Sequence, residues 1–248
     1  MEINEQKDLI SLKKYPVRNM LRFLLQDKTT KQNIIWATRS YEEFGEKYSE
    51  KQHMTEEAIL GFDSINLQPR VCKSLMQQAE RTKKKAEVFT PSWVCNKMNN
   101  HCDSEWFGKE GVFNTEIEQD WIVNNQIIEF KPKDAWKKYV DSKRLEITCG
   151  EAPYIVSRYD TSTGKTIKIN RRIGILDRKL RVINENTMTE EEWLHWVIRA
   201  YQSTYGYEFQ GDNLLIARIN LLITFVDYMK DKWKIVPGID ELRQVTNI

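Results

Sequence analysis

Strand-like and helix-like segments alternate between Lys143 and Met229, and this alternation narrows the possible fold more than any other feature of the sequence. KRLEITCG, residues 143 to 150, has the β-prone character of a strand and ends in a glycine turn. TEEEWLHWVIRAYQ opens on a capping box, Thr189 with Glu192, and sets Trp193, Trp196, Val197, Ala200 and Tyr201 on one helical face. STYGYEF reads as a second strand near 204 to 209, and Asp212 as the cap of a long, mostly buried helix, NLLIARINLLITFVDYM. Strands separated by a helical crossover pair in parallel, so this half of the chain is predicted to be an α/β unit.

Residues 1 to about 85 read as a helical N-terminal region: Pro16 precedes VRNMLRFLLQD, Thr55 caps TEEAILGF, and Pro69 opens RVCKSLMQQAERTKKK. DWIVNNQIIEF, 120 to 130, is predicted to be a hairpin turning at Asn124 and Asn125, and DAWKKYVDSK a short helix. Residues 160 to 188, β-prone around a Ser-Thr-Gly turn, are expected to form an insertion outside the sheet. The predicted division is therefore 1–85 and 86–248.

A chain of 248 residues can bury a substantial core, and its net charge of +2 means that affinity for nucleic acid must come from local clusters. Such clusters lie at 81–85, at Lys137 and Lys138, at Lys143 and Arg144, and at Arg171 and Arg172, and each also reads as a solvated face. MEINEQKDLISLKKY lacks a secretory apolar core, and LLIARINLLITFV, broken by Arg218 and Asn220, is too short to span a bilayer. These points predict a cytoplasmic protein with no membrane partner. Four cysteines suggest reduced thiols, and Cys95, His101 and Cys102 lack the spacing of a structural zinc site.

Candidate chemistry starts at AEVFTPSWVCNKM, where Thr90 is placed to cap a helix running to about Asn100, with Pro91 at its first position and Trp93, Val94 and Met98 on its buried face. Such a terminus can hold an anion through free N–H groups and the helix dipole, or simply water. Glu146, in the first strand and followed by Cys149 and Gly150, puts a carboxylate and bare backbone at a strand end. Glu208 and Phe209, at the end of the second, offer an acceptor for ribose hydroxyls and a ring for a nucleobase. A salt-bridge role for Glu146 and a core role for Phe209 remain the alternatives.

In this order the three segments resemble the N6-adenine DNA methyltransferases of restriction-modification systems. AEVFTPSWVCNKM is similar to that family's FTP motif, LEITCGEAP to its acidic-Pro-Ala-Cys-Gly-x-Gly motif, and GYEFQGDNLLIARINLL to its second acidic strand and following helix. The resemblance spans about residues 80 to 230. It implies a Rossmann-like parallel sheet binding S-adenosylmethionine, present only in part, with double-stranded DNA as the partner of the full-length protein. Phe89, Thr90 and Pro91 would then line the end holding the methionine carboxylate, and Glu146 would face the ammonium. Gly150, beside Cys149, would admit the backbone, Glu208 would bind the ribose, and Phe209 would pack on the adenine.

The chain departs from the family pattern in three ways. Ala152, followed by Pro153, stands where the family has a second glycine, and 58 residues (208 minus 150) separate Gly150 from Glu208. No Asn-Pro-Pro-Tyr, Asp-Pro-Pro-Tyr or similar tetrapeptide occurs, so the residues that would orient a flipped adenine are lacking. The expectation is a cofactor-binding portion, inactive alone, whose catalytic motif comes from a C-terminal half or a second chain. Two rivals differ in class. Asp120 with Glu129, Phe130 and Lys131 imitates a magnesium-dependent nuclease, and a DNA-binding fragment would hold no cofactor. TSTGKT, 161 to 166, imitates a phosphate loop but has Tyr159 in place of the first glycine.

Overall fold

The computed structural model describes residues 9–248. α1 (Val17–Leu25) follows Pro16 and buries Val17, Met20, Leu21, Leu24 and Leu25, the spacing of one helical face. α2 (Glu56–Leu60) is capped by Thr55, whose hydroxyl accepts from the Ala58 N–H, and α3 (Leu75–Lys85) opens on a capping box of Ser74 and Gln77. Each of the three expected segments thus carries a helix, although the third begins after Ser74, not at Pro69, and between them the described N-terminal region is turns, short 3-10 segments and isolated bridges. At Asp27 the cause is local, because its carboxylate accepts from the Thr29 N–H and the Thr30 hydroxyl and so competes with helix.

α4 (Ser92–Phe107) leads into an antiparallel hairpin, β1 (Asn114–Ile117) and β2 (Asp120–Val123), which turns at Glu118 with φ 48°. DWIV is thus the second strand of a hairpin, not the first, and 124–130 is not a strand. A buried amide pair clamps β1 to α4: Asn114 and Asn96 exchange two hydrogen bonds of 2.8 Å.

α5 (Trp136–Asp141) precedes β3 (Arg144–Ile147), and α6 (Ile175–Asn186) and α7 (Glu190–Gln202) lead to β4 (Thr204–Tyr207). β3 and β4 pair in parallel with Arg144 opposite Thr204 and Ile147 opposite Tyr207. The α/β alternation is present in this mixed fold as a sheet of two strands. Within the predicted insertion, which supplies no strand, the second half belongs to the core. Leu176, Leu180 and Ile183 of α6 are fully buried, and α6 packs on α5, α7 and α8 (Gly211–Trp233). α9 (Ile239–Thr246) closes against α1, and one hydrophobic cluster runs from Ile10 to Val245. The other face of the small sheet is bare: Leu145, Ile147, Tyr205 and Tyr207 are 44 to 69% exposed.

Candidate functional site

Parallel pairing brings the loops that follow β3 and β4 side by side. The Cys149 N–H donates to the Tyr207 carbonyl at 2.8 Å, and the Gly150 N–H donates to Glu208 Oε2 at 2.7 Å. Glu208 Oε1 accepts from the Gln210 N–H at 2.8 Å, so this one carboxylate ties the two loops together. Gly150 has φ +54°, and a Cβ there would stand 3.2 Å from the ring of Phe89. The FTP phenylalanine therefore packs on the glycine turn, and the turn needs glycine for both reasons. Thr148 and Ala152 are left-handed too, at φ 56° and 67°, which for a β-branched threonine is strained backbone.

These loops and the segment before α4 enclose a cavity of about 370 Å³. Phe89, Thr90, Glu146, Cys149, Gly150, Glu208 and Phe209 all line it. Of the residues expected from the sequence, Pro91 stands outside. Glu87, Gln210 and Asn213 also form part of the wall. Sequence reading overlooked them because their role comes from a buried ion network. Arg81 donates through Nε to both Glu87 oxygens and through Nη1 to Asp212 Oδ2 at 2.9 Å, while Asn213 and Gln210 donate side-chain amides to Glu87.

Glu146 is the least compensated acid in the wall. The nearby backbone N–H groups of Tyr154 and Ile155 favour its ionised form, but Oε2 is buried without a hydrogen-bond partner. Burial pushes its pKa up to about 8, and the neighbouring Glu208 adds to the rise. Burial likewise pushes the Cys149 thiol up to about 12, so it is protonated and unreactive at neutral pH. At the rim Phe209 is 81% exposed, leaving its ring open to a ligand. The wall is acidic and its lip aromatic, which suits a cationic ligand with hydroxyls and a flat base better than a phosphate.

The helix terminus behaves differently from the sequence expectation. Pro91, not Thr90, is the residue before α4, and Thr90 makes no cap. Its carbonyl instead accepts from the Thr161 hydroxyl at 3.1 Å. Asp160 Oδ2 accepts from the Ser92 N–H at 2.7 Å, so the anion at this terminus is the protein's own carboxylate. Asp160 Oδ1 also gathers the Ser162 and Thr163 N–H groups, which closes the Gly-Lys-Thr segment around a carboxylate instead of a phosphate. Burial opposes ionisation of Asp160, but these donors outweigh it and hold the pKa at about 2.

The remaining sequence candidates do not converge. Asp120 pairs with Arg171, while Glu129 and Lys131 are exposed beyond β2, and no cluster of metal-binding side chains occurs among the described residues. Arg81 of the basic run is buried, and Arg144 and Arg172 pair with Asp103 and Asp227. Lys83 and Lys84 stay exposed on α3. Among the described residues no helix is long and apolar enough to cross a membrane. Comparison with protein families, with curated proteins and with solved structures gives no match.

Proposed function

We propose that this chain binds S-adenosylmethionine in the cavity at the ends of β3 and β4, as the cofactor-binding portion of a site-specific adenine-N6 DNA methyltransferase of a restriction-modification system. One observation carries the reading: segments at 89–90, 146–150 and 208–209, far apart in sequence, line a single cavity at the carboxyl ends of parallel strands. That is where open α/β sheets place ligands.

The donor set fits the cofactor. The orphaned Glu146 Oε2 matches an ammonium, and Glu208 retains lone pairs for ribose hydroxyls beyond the two N–H groups it accepts. Phe209 is free to cover an adenine, and about 370 Å³ is the volume of a small-molecule site. The α4 terminus does not fit the methionine carboxylate, since Asp160 takes its Ser92 N–H. When bound, the cofactor would supply an electrophilic methyl group. This chain's residues orient it and keep its cation beside carboxylates. The acceptor base of double-stranded DNA requires the Pro-Pro-Tyr-type residues that this sequence lacks, so transfer needs a second polypeptide segment. The bare face of Leu145, Ile147, Tyr205 and Tyr207 is a surface on which such a segment would add.

Calorimetric titration with S-adenosylmethionine tests the reading. Saturable binding in the micromolar range that Glu208→Ala weakens at least tenfold is the expected result. Absence of saturable binding at millimolar ligand refutes it.

A further inference from the structure

Three carboxylates, Glu87, Glu146 and Glu208, line the cavity, and two of them are compensated. Glu87 pairs with Arg70 and Arg81, and Glu208 accepts two backbone N–H groups. Glu146 has the amides of Tyr154 and Ile155 nearby and nothing on Oε2. The titratable groups facing it come from each surrounding element. They are Cys95 from α4, Cys149 from the end of its own strand, Tyr154 from the following loop, and Glu208 from the loop after β4. All of these are neutral or anionic at neutral pH. Arg70 and Arg81 are committed to Glu87.

A buried carboxyl with no opposing cation keeps its proton, and it ionises when a cation is brought to it. We propose that ligand binding in this cavity is proton-linked, with an ammonium-bearing ligand expelling the Glu146 proton to solvent and taking its place as the partner of Oε2. The O–H bond breaks, the proton passes to buffer, and the ligand N–H donates to the carboxylate. This inference rests on the cofactor reading above and adds to it a charge exchange. Its direction agrees with the raised Glu146 pKa of about 8.

Linkage then makes affinity depend on pH. From pH 7.5 to pH 6.5 the wild-type affinity for S-adenosylmethionine should fall about fivefold: the ionised fraction of Glu146 drops about eightfold, partly offset as the ligand's α-amino group completes its protonation. At pH 6.5 the ligand's own α-amino group is already charged, so protons counted there belong to the protein. Calorimetry of the full chain at pH 6.5 in two buffers of different ionisation enthalpy measures the count. The expected release is about one proton per S-adenosylmethionine. 5′-Methylthioadenosine, which has no ammonium, should bind without proton release, a control that needs no variant. Glu146→Gln, nearly the shape of the protonated acid, should bind S-adenosylmethionine with no release at pH 6.5 and with affinity that changes by less than about twofold over this range, rising slightly toward low pH as the ligand amine protonates. Binding by the wild type with no proton exchanged, or equal release from Glu146→Gln, overturns the proton linkage while leaving the cofactor reading intact. No binding of either ligand refutes both.

Discussion

Replacing Arg81 by methionine should unfold the chain far more readily than its position in a basic run suggests. Arg81 is 4% exposed and its guanidinium joins two buried acids, Glu87 and Asp212, with N–O distances of 2.5 and 2.9 Å. Although burial raises the pKa of Asp212, Lys73 and Arg81 together hold it below the usual carboxylate value. Removing one partner of a buried ion pair costs about 3–5 kcal/mol, because the other charge is left uncompensated. Here each acid keeps a weaker cation, Arg70 at 3.4 Å from Glu87 and Lys73 at 3.3 Å from Asp212. The cost should therefore lie near the lower end, about 3 kcal/mol. Urea denaturation would show a midpoint lower by about 1 M or more at ordinary slopes. Arg81→Lys keeps the charge but loses the planar fork that spans both acids, so it should fall between wild type and Arg81→Met. In a double-mutant cycle, Glu87→Gln should recover part of the loss. A loss from Arg81→Met below about 1 kcal/mol, the range of exposed pairs, would refute the reasoning and return the side chain to the surface.

Thr148 is exposed at φ 56°, and Thr148→Gly should stabilise by about 1 kcal/mol, since relief of a left-handed β-branched residue exceeds the added chain entropy. Calorimetric melting should show a Tm higher by about 2–4 °C, and a lower Tm would contradict the strain argument. Lys179 is buried and donates to the Ser142 carbonyl and the Ser203 hydroxyl, both at 2.7 Å; desolvation lowers its pKa to about 7. The unfolded chain then binds the extra proton between about pH 7 and 10.5, so this group makes stability rise with pH across that window. Lys179→Met should remove up to about 1.4 kcal/mol per pH unit of that rise, and parallel stability curves for the two proteins would exclude it.

The parts of the fold visible in the sequence are those whose cause is local. Thr55 and Thr189 cap their helices through bonds to residues three positions on, and α7 buries Trp193, Val197, Ala200 and Tyr201 as its spacing predicts. Residues with distant partners were misread. α4 buries Cys95, Asn96, Asn99 and Asp103 and leaves Met98 exposed. Its inner face is polar because Arg178 of α6 donates to Asp103 and Asn96, and because Asn99 donates to two carbonyls from the loop before α6 and the loop after β3. An apolar-face rule cannot find such a helix face. α6 did carry a signal, with Leu176, Leu180 and Ile183 at helical spacing, but the neighbouring Ser-Thr-Gly turn drew the reading toward strand.

The candidate site divides along the same line. Glu146, Gly150 and Glu208 sit where strand ends place them, so position in an α/β pattern sufficed. The wall opposite depends on Arg81 in α3 reaching Glu87 before α4 and Asp212 in α8, a three-element junction with no spacing rule. Asp160 shows the same effect at the α4 terminus, where a carboxylate 68 residues away in sequence supplies the cap that Thr90 was expected to give. The Arg81 contacts neutralise Glu87 in the cavity wall, whereas Glu146 is left with Oε2 unpartnered. Among the acids lining the cavity, Glu87 has cations and Glu208 two N–H donors, whereas a carboxyl with Oε2 unpartnered facing the cavity is costly to ionise alone. A cationic ligand removes that cost. On the proposed cofactor reading, the selectivity of the cavity would lie as much in what the surrounding network withholds from Glu146 as in any group it provides.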